Sequence, residues 1–513
     1  MTPRRSGQIP PRLHRRGRPP LRQLWPDLLL GAIAALGLAP FGIWAATPIA
    51  FSILIWRLAR ERPAAVFWHA LAAGFGWFAL ALFWIVEPFL VEPEVYGWMA
   101  PFALVLMALG GALFWALPAW LAAIWSRSWR WQAVGSACAL ALSDWLRGWI
   151  FTGFPWALIG HAWIDTPVAQ LAAWGGAFGL STLTLALATL PALLWRPAWH
   201  RLAAHLPGAV AVILTVGAAW AFGLSRLAAP EPADTELTIR IVQPDATQHL
   251  KWDPEWSQVF FERLLTLSAE PGPRDLVIWP ETAVNFLLED ATPILPAISQ
   301  AAGAPLAMGI QRRDGMRYYN SLAMVEPGGR IGQTYDKFHL VPFGEYIPWG
   351  DQLARFAIGA FAAQQGNGYA SGPGPQVVEQ AGIPPFQPLI CYEAIFPQHL
   401  RNLPTRPAWI LQATNDAWFG NISGPYQHLA QARLRAIESG LPVARAANTG
   451  VSAMIDAKGR IRDSLGMRQM GKIDAALPGA LPPTFWIRMG NAPLLVLLGV
   501  MLLAKLRLRP RRA

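Results

Sequence analysis

Hydrophobic residues gather in long unbroken runs through the first 225 residues of this chain and again near its end. Runs of spanning length or close to it occupy residues 23–39, 44–59, 64–87, 97–125, 131–148, 167–195, 207–225 and 485–505. A helix needs about 20 apolar residues to cross a bilayer core, so the pattern predicts about eight spans. The first two are short and separated only by Ala39-Pro40-Phe41-Gly42, which suits tilted or partly re-entrant helices. Between residues 226 and 484 the texture changes. Short β-rich runs at Leu237–Gln243, Asp275–Trp279, Pro305–Ile310, Tyr318–Val325, Phe386–Cys391, Ala408–Gln412 and Val443–Ile455, the last followed by an Ala457-Lys458-Gly459 turn, alternate with helical patterns at Asp253–Leu267 and Tyr426–Ser439. Such alternation predicts a layered α/β domain.

Composition agrees with a bilayer. Of 513 residues, 54% are hydrophobic and only 14% charged, too few charges for a purely water-soluble chain of this length. The net charge of +11 would suggest nucleic-acid binding if it lay on a folded face. Instead seven arginines fall in the first 24 residues, and one lysine and four arginines in the last nine, with no acid in either tail. Flanking apolar runs, these charges read as topology signals and exclude a nucleic-acid partner. The arginines of loops 57–62, 127–130 and 196–201 fall on the same side as the tails, which makes that side cytoplasmic. The predicted order is therefore a basic tail (1–22), a seven-helix membrane domain (23–225), an outward-facing domain (226–484), a last span (485–505) and a second basic tail (506–513). No small-residue cleavage site follows the first basic stretch, so residues 22–38 read as a retained span. Many of the 27 tryptophans sit near the ends of apolar runs, as in an interfacial belt.

Three patterns in the outward domain carry chemistry, each at the apparent end of a strand: Trp279-Pro280-Glu281, the stretch from Tyr335 to Glu345 containing Lys337, and Cys391-Tyr392-Glu393. Singly, each has a plain structural explanation: a helix-start carboxylate, a solvated lysine, a buried inert cysteine. Together they form a reactive set. A thiol needs a base to become a nucleophile, and Glu281 can take its proton. Lys337 can stabilise the oxyanion formed when the thiolate attacks a carbonyl, helped by the main-chain N–H after the nucleophile. The two cysteines, Cys138 and Cys391, lie in different halves, so a disulfide is not expected. The nine histidines show no ligand spacing, and no metal or cofactor is called for.

Trp-Pro-Glu, the Asp336-Lys337 to Pro348 stretch and Cys-Tyr-Glu, about 55 residues apart and in this order, resemble the nitrilase superfamily, whose domain is an αββα sandwich. With spans before and after it, the chain resembles more narrowly the apolipoprotein N-acyltransferase family. Further matches are Thr152-Gly153-Phe154-Pro155-Trp156, Lys251-Trp252-Asp253-Pro254, Thr414 to Gly420, Arg433 to Glu438 and Arg445 to Gly450. The resemblance implies Glu281 as general base, Cys391 as nucleophile and Lys337 as oxyanion stabiliser. It implies support from Glu345, Glu393 and Tyr392, although a structural ion pair would also account for the two carboxylates. It implies a phosphatidylethanolamine sn-1 acyl donor, a Cys391 thioester and, as acceptor, the N-terminal S-diacylglyceryl cysteine of an apolipoprotein. The implied place is the inner membrane with the catalytic domain outside.

Two departures from the pattern, Asp245 where Asn is expected and Asp144 where Glu is expected, bear on substrate contacts more than on chemistry. Substrate contacts are expected at Trp156, Trp252, Asn415 and Trp418; interfacial anchoring is the other account of Trp156, and core packing of Trp252 and Trp418. The apolar segment 353–363, with Phe356 and Phe361, reads either as a lid that admits lipid or as a buried helix. Two rival functions share the pattern: a membrane-tethered amidase that uses water, and a transporter or lipid-binding protein with an inert outer domain.

Overall fold

A computed structural model describes residues 19–194, 206–348 and 368–507. The segment 353–363, with Phe356 and Phe361, and most of both basic tails lie outside the described residues. The chain divides into two compact units, Met1–Ala229 with Arg488–Ala513, and Pro230–Ile487.

The first unit is helical, and each of the eight apolar runs forms a helix: α1 (Trp25–Ala35), α2 (Ala46–Leu58), α3 (Pro63–Ala81), α4 (Ala100–Ile124), α5 (Trp129–Arg147), α6 (Ala172–Leu194), α7 (Leu206–Ala228) and α11 (Ala492–Arg507). Four stretches among the described residues are long and apolar enough to cross a membrane: Pro63–Ala81, Pro93–Ile124, Pro167–Leu194 and Leu206–Ala228. The expected eight spans exceed that number for reasons of length and polarity. At about 1.5 Å per residue, α1 and α2 fall well short of a bilayer core of about 30 Å. Helix α5 has the length but carries Arg130, Gln132, Asp144 and Arg147. Helices α4 and α7 leave rows of large apolar side chains exposed, among them Phe102, Leu106, Leu113, Leu117, Ile213 and Leu214, a surface suited to lipid rather than water.

Within this unit the buried charged groups Asp27 and Asp144 are paired, as a low-dielectric setting demands. The fully buried Asp27 of α1 accepts from Arg57 Nε of α2 at 2.6 Å and lies 2.7 Å from His69 Nδ1 of α3, joining three helices. Between α5 and α6 the chain is mostly irregular, and its backbone groups find partners in α5. Arg147 donates to the carbonyls of Phe154 (2.8 Å) and Trp156 (2.5 Å), while Asp144 Oδ2 accepts from Ile159 N (2.9 Å) and Ser181 Oγ (2.8 Å). Asp144 thus anchors a loop. Trp156 is fully buried against Trp84 and Phe154, so it is not an exposed interfacial anchor.

The second unit holds two six-stranded sheets. One runs β12-β1-β2-β3-β4-β5 and the other β11-β10-β9-β8-β7-β6. The strands of the first are β1 (Thr238–Gln243), β2 (Leu276–Ile278), β3 (Leu306–Asp314), β4 (Arg317–Val325), β5 (Ile331–Asp336) and β12 (Gly471–Ala476). Those of the second are β6 (Val378–Gln380), β7 (Ile383–Ile390), β8 (Trp409–Thr414), β9 (Val443–Ala447), β10 (Ser452–Ile455) and β11 (Ile461–Leu465). Each sheet has three parallel strands, β1-β2-β3 and β7-β8-β9, with antiparallel flanks. The parallel strands are buried almost throughout, as strands covered on both faces must be.

Helices α8 (Pro254–Ala269) and α9 (Leu295–Ala302) cover the first sheet, packing Phe261, Leu264 and Ile298 against Val242, Val277 and Met308. Helix α10 (Gly424–Ser439) covers the second through Leu429, Ala432 and Ala436. The result is the expected αββα sandwich. Local chemistry sets the helix ends. Asp253 accepts from the main-chain amides of Glu255 and Trp256 with Pro254 in the first turn, and Gly440 closes α10 at φ 71°. The expected run Val443–Ile455 divides at Asn448–Val451 into β9 and β10, which pair antiparallel.

Candidate active site

The sequence-predicted chemistry converges just beyond the strand ends. Glu281 follows β2, Lys337 follows β5 and Cys391 follows β7. Lys337 Nζ lies 3.2 Å from Glu281 Oε1 and 2.9 Å from Glu345 Oε1, with all three side chains buried or nearly so. Asn320 Nδ2 donates to the same two oxygens, at 2.7 Å and 3.1 Å. An ammonium and an amide thus hold two carboxylates together that would otherwise repel. Glu281 Oε2 accepts from the main-chain N of Asn415 at 2.9 Å, after β8, and the buried Lys251 Nζ reaches the Glu281 carbonyl at 3.4 Å. Glu345 Oε2 accepts from Val341 N at 2.8 Å.

These contacts set the charge states. Burial works to raise the Glu281 carboxyl, but Lys337, Asn320 and Lys251 outweigh it and hold the group below its usual range. Burial alone would lower Lys337, yet Glu281 and Glu345 raise it well above an ordinary lysine. For Cys391, burial and the Glu281 charge push the thiol up, against Lys337 and the Thr414 hydroxyl. The resting set is therefore thiol, carboxylate and ammonium. Moving the thiol proton to Glu281 also removes the negative charge that disfavours the thiolate, while Lys337 remains to stabilise it.

Glu393 is fully buried, and its oxygens accept from the main-chain N of Ile390 (2.7 Å), Phe338 (2.8 Å) and His339 (3.2 Å) and from the Tyr335 hydroxyl (2.9 Å). A direct ion pair is present for Glu345, whereas Lys337 acts on Glu393 only through its charge. Burial pushes Glu393 up to about 7 despite its donors and Lys337. Mechanically it ties the loop after Lys337 to the strand end that presents Cys391. Tyr392 is buried beside it.

Strain gathers at the same strand ends. Cys391 (φ 48°), Thr282 (φ 47°) and Asp245 (φ 50°) all occupy the left-handed region, which non-glycine residues rarely adopt unless surrounding contacts hold them there. Gly309 of β3 makes room for the Glu281 turn: a Cβ there would stand 2.1 Å from the Pro280 carbonyl oxygen and 2.8 Å from Glu281 Cα. Gly309→Ala should destabilise the protein by about 1–3 kcal/mol through overpacking and slow the reaction of Cys391 by displacing Glu281. Thermal unfolding beside the turnover rate checks both.

Behind Cys391, Asp416 Oδ1 accepts from Thr414 Oγ1 at 2.9 Å and lies 2.9 Å from His428 Nδ1, and Asp416 Oδ2 is paired with Arg445. Against the opposing pull of burial, Arg445 and His428 hold Asp416 down at about 2. The sign follows directly. A carboxyl depressed from 3.8 stabilises the fold above pH 4 and loses that contribution as pH falls toward 2, worth about 2 kcal/mol at about 1.4 kcal/mol per unit. Asp416→Asn should lack that part of the acid dependence, read as the wild-type minus variant unfolding free energy at pH 2, 3, 4 and 6.

Of the expected substrate contacts, Trp252 is 46% exposed, which excludes core packing, and Trp418 is half-buried. The Asn415 side chain is engaged by Gln248 and Asn448, so its contribution to the site is the amide on Glu281. Asp245 donates its N–H to the Asn448 carbonyl at 3.2 Å, a main-chain role that its side chain does not decide. Asn320 and His428 carried no signal of a role in the sequence, since each lies inside a strand or helix pattern; Tyr335, Asp416 and Arg445 lay within matched motifs but had no role of their own.

The chain is similar to several known proteins. The family model for the apolipoprotein N-acyltransferase N-terminal domain matches residues 30–190, and that for carbon-nitrogen hydrolase matches residues 238–480. An apolipoprotein N-acyltransferase of Rhodopseudomonas palustris is 38% identical over 94% of this chain and 95% of its own. One of Caulobacter vibrioides is 39% identical over 92% of each. Among solved structures, a CN-hydrolase superfamily protein of Xanthomonas campestris is 23% identical, with a TM-score of 0.36, covering 54% of this chain and 98% of that one. With two domain models in sequence and full-length relatives well above 30% identity, the chain belongs to the apolipoprotein N-acyltransferase family.

Proposed function

We propose that this acyltransferase moves an acyl chain from a membrane phospholipid, through a thioester on Cys391, to the α-amino group of the N-terminal S-diacylglyceryl cysteine of an apolipoprotein. The observation that carries this reading is the buried Glu281–Lys337 ion pair acting on the Cys391 thiol in a chain that also has helices of membrane-crossing length. In the first half, Glu281 takes the thiol proton and Cys391 Sγ bonds to the ester carbonyl carbon. Lys337 and the Tyr392 N–H stabilise the oxyanion. The C–O bond then breaks, Glu281 returns its proton to the departing alkoxide, and a lysophospholipid leaves. In the second half the amine attacks the thioester, its proton passes through Glu281 to the sulfur, and the C–S bond breaks as the amide forms.

The finer assignments rest on the family and on charge placement. The donor is phosphatidylethanolamine at sn-1. Seven spans before the catalytic domain and one after it put both arginine-rich tails in the cytoplasm and the domain on the periplasmic side of the inner membrane. That arrangement confines both lipid substrates near the thiol and raises their effective concentration. Trp252, exposed next to Lys251, is suited to an acyl chain. The test is purified protein incubated with phosphatidylethanolamine and a synthetic peptide bearing an N-terminal S-diacylglyceryl cysteine. The expected products are N-acylated peptide and lysophospholipid in equal amounts. Release of free fatty acid alone, or turnover of small soluble amides in place of transfer, would favour the hydrolase reading and overturn this one.

A further inference from the structure

The cluster behind the nucleophile has no part in the proton transfers above, yet its imidazole touches the nucleophile's own backbone. His428 Nε2, from α10, lies 3.1 Å from the Cys391 carbonyl oxygen. The ring is completely buried and held on every side. Asp416 Oδ1 lies 2.9 Å from Nδ1, Gln412 Nε2 lies 3.1 Å from Nε2, and Phe419 packs edge-on to it with centroids 5.4 Å apart. Asp416 is in turn fixed by Thr414 and by Arg445, whose Nε donates to the Val451 carbonyl at 3.1 Å. A helix and two strands thus converge on one carbonyl.

That carbonyl belongs to a residue at φ 48°, a conformation that must be held from outside. It also belongs to the peptide unit whose other end is the Tyr392 N–H. A peptide unit is planar and trans, so its C=O and N–H point in opposite directions in one plane. Fixing the oxygen therefore fixes the direction of the amide.

We propose that His428 is a positioning residue: by donating from Nε2 to the Cys391 carbonyl it sets the Cys391–Tyr392 peptide plane and so aims the Tyr392 N–H at the oxyanion. The inference rests on the thioester reading above. The Cys391 carbonyl and the Asp416 carboxylate accept at opposite ring edges and call for a proton on each nitrogen, with the Gln412 amide turned so that its otherwise unpartnered Oε1 faces Nε2. Burial and Arg445 push the pKa of that imidazolium down while Asp416 favours it; donation to the Cys391 carbonyl needs the Nε2 proton. The role is separable from nucleophile activation, because alkylation of a thiolate by iodoacetamide passes through no oxyanion.

The experiment compares two substitutions in full-length protein, in a Cys138→Ala background that leaves Cys391 as the single thiol. His428→Asn places an amide where Nδ1 stands, keeping a partner for Asp416 and losing the donor to Cys391. His428→Gln places an amide nitrogen near the Nε2 position and restores it. Two rates are measured: thioester formation from phospholipid labelled in its sn-1 chain, and alkylation by iodoacetamide. The expected result is thioester formation slowed about 100-fold in His428→Asn and less than about 10-fold in His428→Gln, with alkylation within about 3-fold of wild type in both. Equal losses in the two variants, or alkylation falling in step with acylation, would reduce His428 to a general structural support and overturn the proposal. Absence of label on wild-type protein would overturn the thioester reading and this inference together, a result seen before any variant is compared.

Discussion

Cys391→Ala is expected to give a folded protein that transfers no acyl chain, with a rate reduced at least about 10⁴-fold. The size of the effect follows from how little else in the site can form the covalent intermediate. Glu281 is committed to Lys337, Asn320 and the Asn415 amide, and Lys337 is held as an ammonium with no lone pair to offer. Cys391→Ser should be nearly as inactive. A hydroxyl is far less acidic than a thiol, so the shift of one proton to Glu281 that suffices for sulfur does not yield an alkoxide. Both substitutions remove or shorten a side chain at a position whose conformation is held by the Cys391 carbonyl and by Glu393, so the fold should persist. Transfer rate and thermal unfolding on the same preparation check the two halves of this expectation.

Lys337→Met should damage both activity and stability. It removes the cation that lies 3.2 Å from Glu281 and 2.9 Å from Glu345 and leaves two buried carboxylates joined, among the described residues, by Asn320 Nδ2 alone. Breaking a buried ion pair on one side typically costs about 3–5 kcal/mol, because the remaining charge loses its compensation. The pH dependence should also reverse. In the wild-type protein Glu281 lies below its usual range, so its contribution to stability is present above the ordinary carboxyl pKa and is lost as pH falls. In the variant the two carboxylates repel, one binds a proton more tightly when folded than when unfolded, and stability rises as pH falls. Denaturant unfolding at pH 5 and pH 8 distinguishes the two: the variant's deficit should shrink at pH 5. A deficit that is the same at both values would show that the three groups are not coupled.

What the sequence revealed, and what it hid, follows from the range of the interactions involved. Helices in the membrane unit and most strands in the sandwich were legible because burial imposes an apolar period on consecutive residues, as in Leu306–Ile310 or Leu429–Ala436. Strands β5, β6, β11 and β12 were given no range, since all four are edge strands, and all of β11 but its last residue is exposed. Four of the eight expected spans are helices long and apolar enough to cross a membrane among the described residues, because hydropathy does not report helix length: the runs at 23–39 and 44–59 contain helices of only 11 and 13 residues. Glu281, Lys337 and Cys391 stood out because their residue types and neighbours are unusual at strand ends. Asn320 and His428 did not. Each is a polar residue inside an ordinary strand or helix pattern, and each acquires meaning only when a partner 39 or 37 positions away is brought within hydrogen-bonding distance.

The central claim is a covalent acyl-enzyme on Cys391. Its most direct measurement is the mass of the proteolytic peptide containing Cys391 after the protein is incubated with a phospholipid of defined sn-1 chain and no acceptor. A Cys391 thioester gives a mass increase equal to that acyl group on this peptide, removed by neutral hydroxylamine and by addition of a diacylglyceryl-cysteine peptide. An unmodified Cys391 peptide under conditions where transfer proceeds, or an acyl group on another residue that persists in Cys391→Ala, would contradict it.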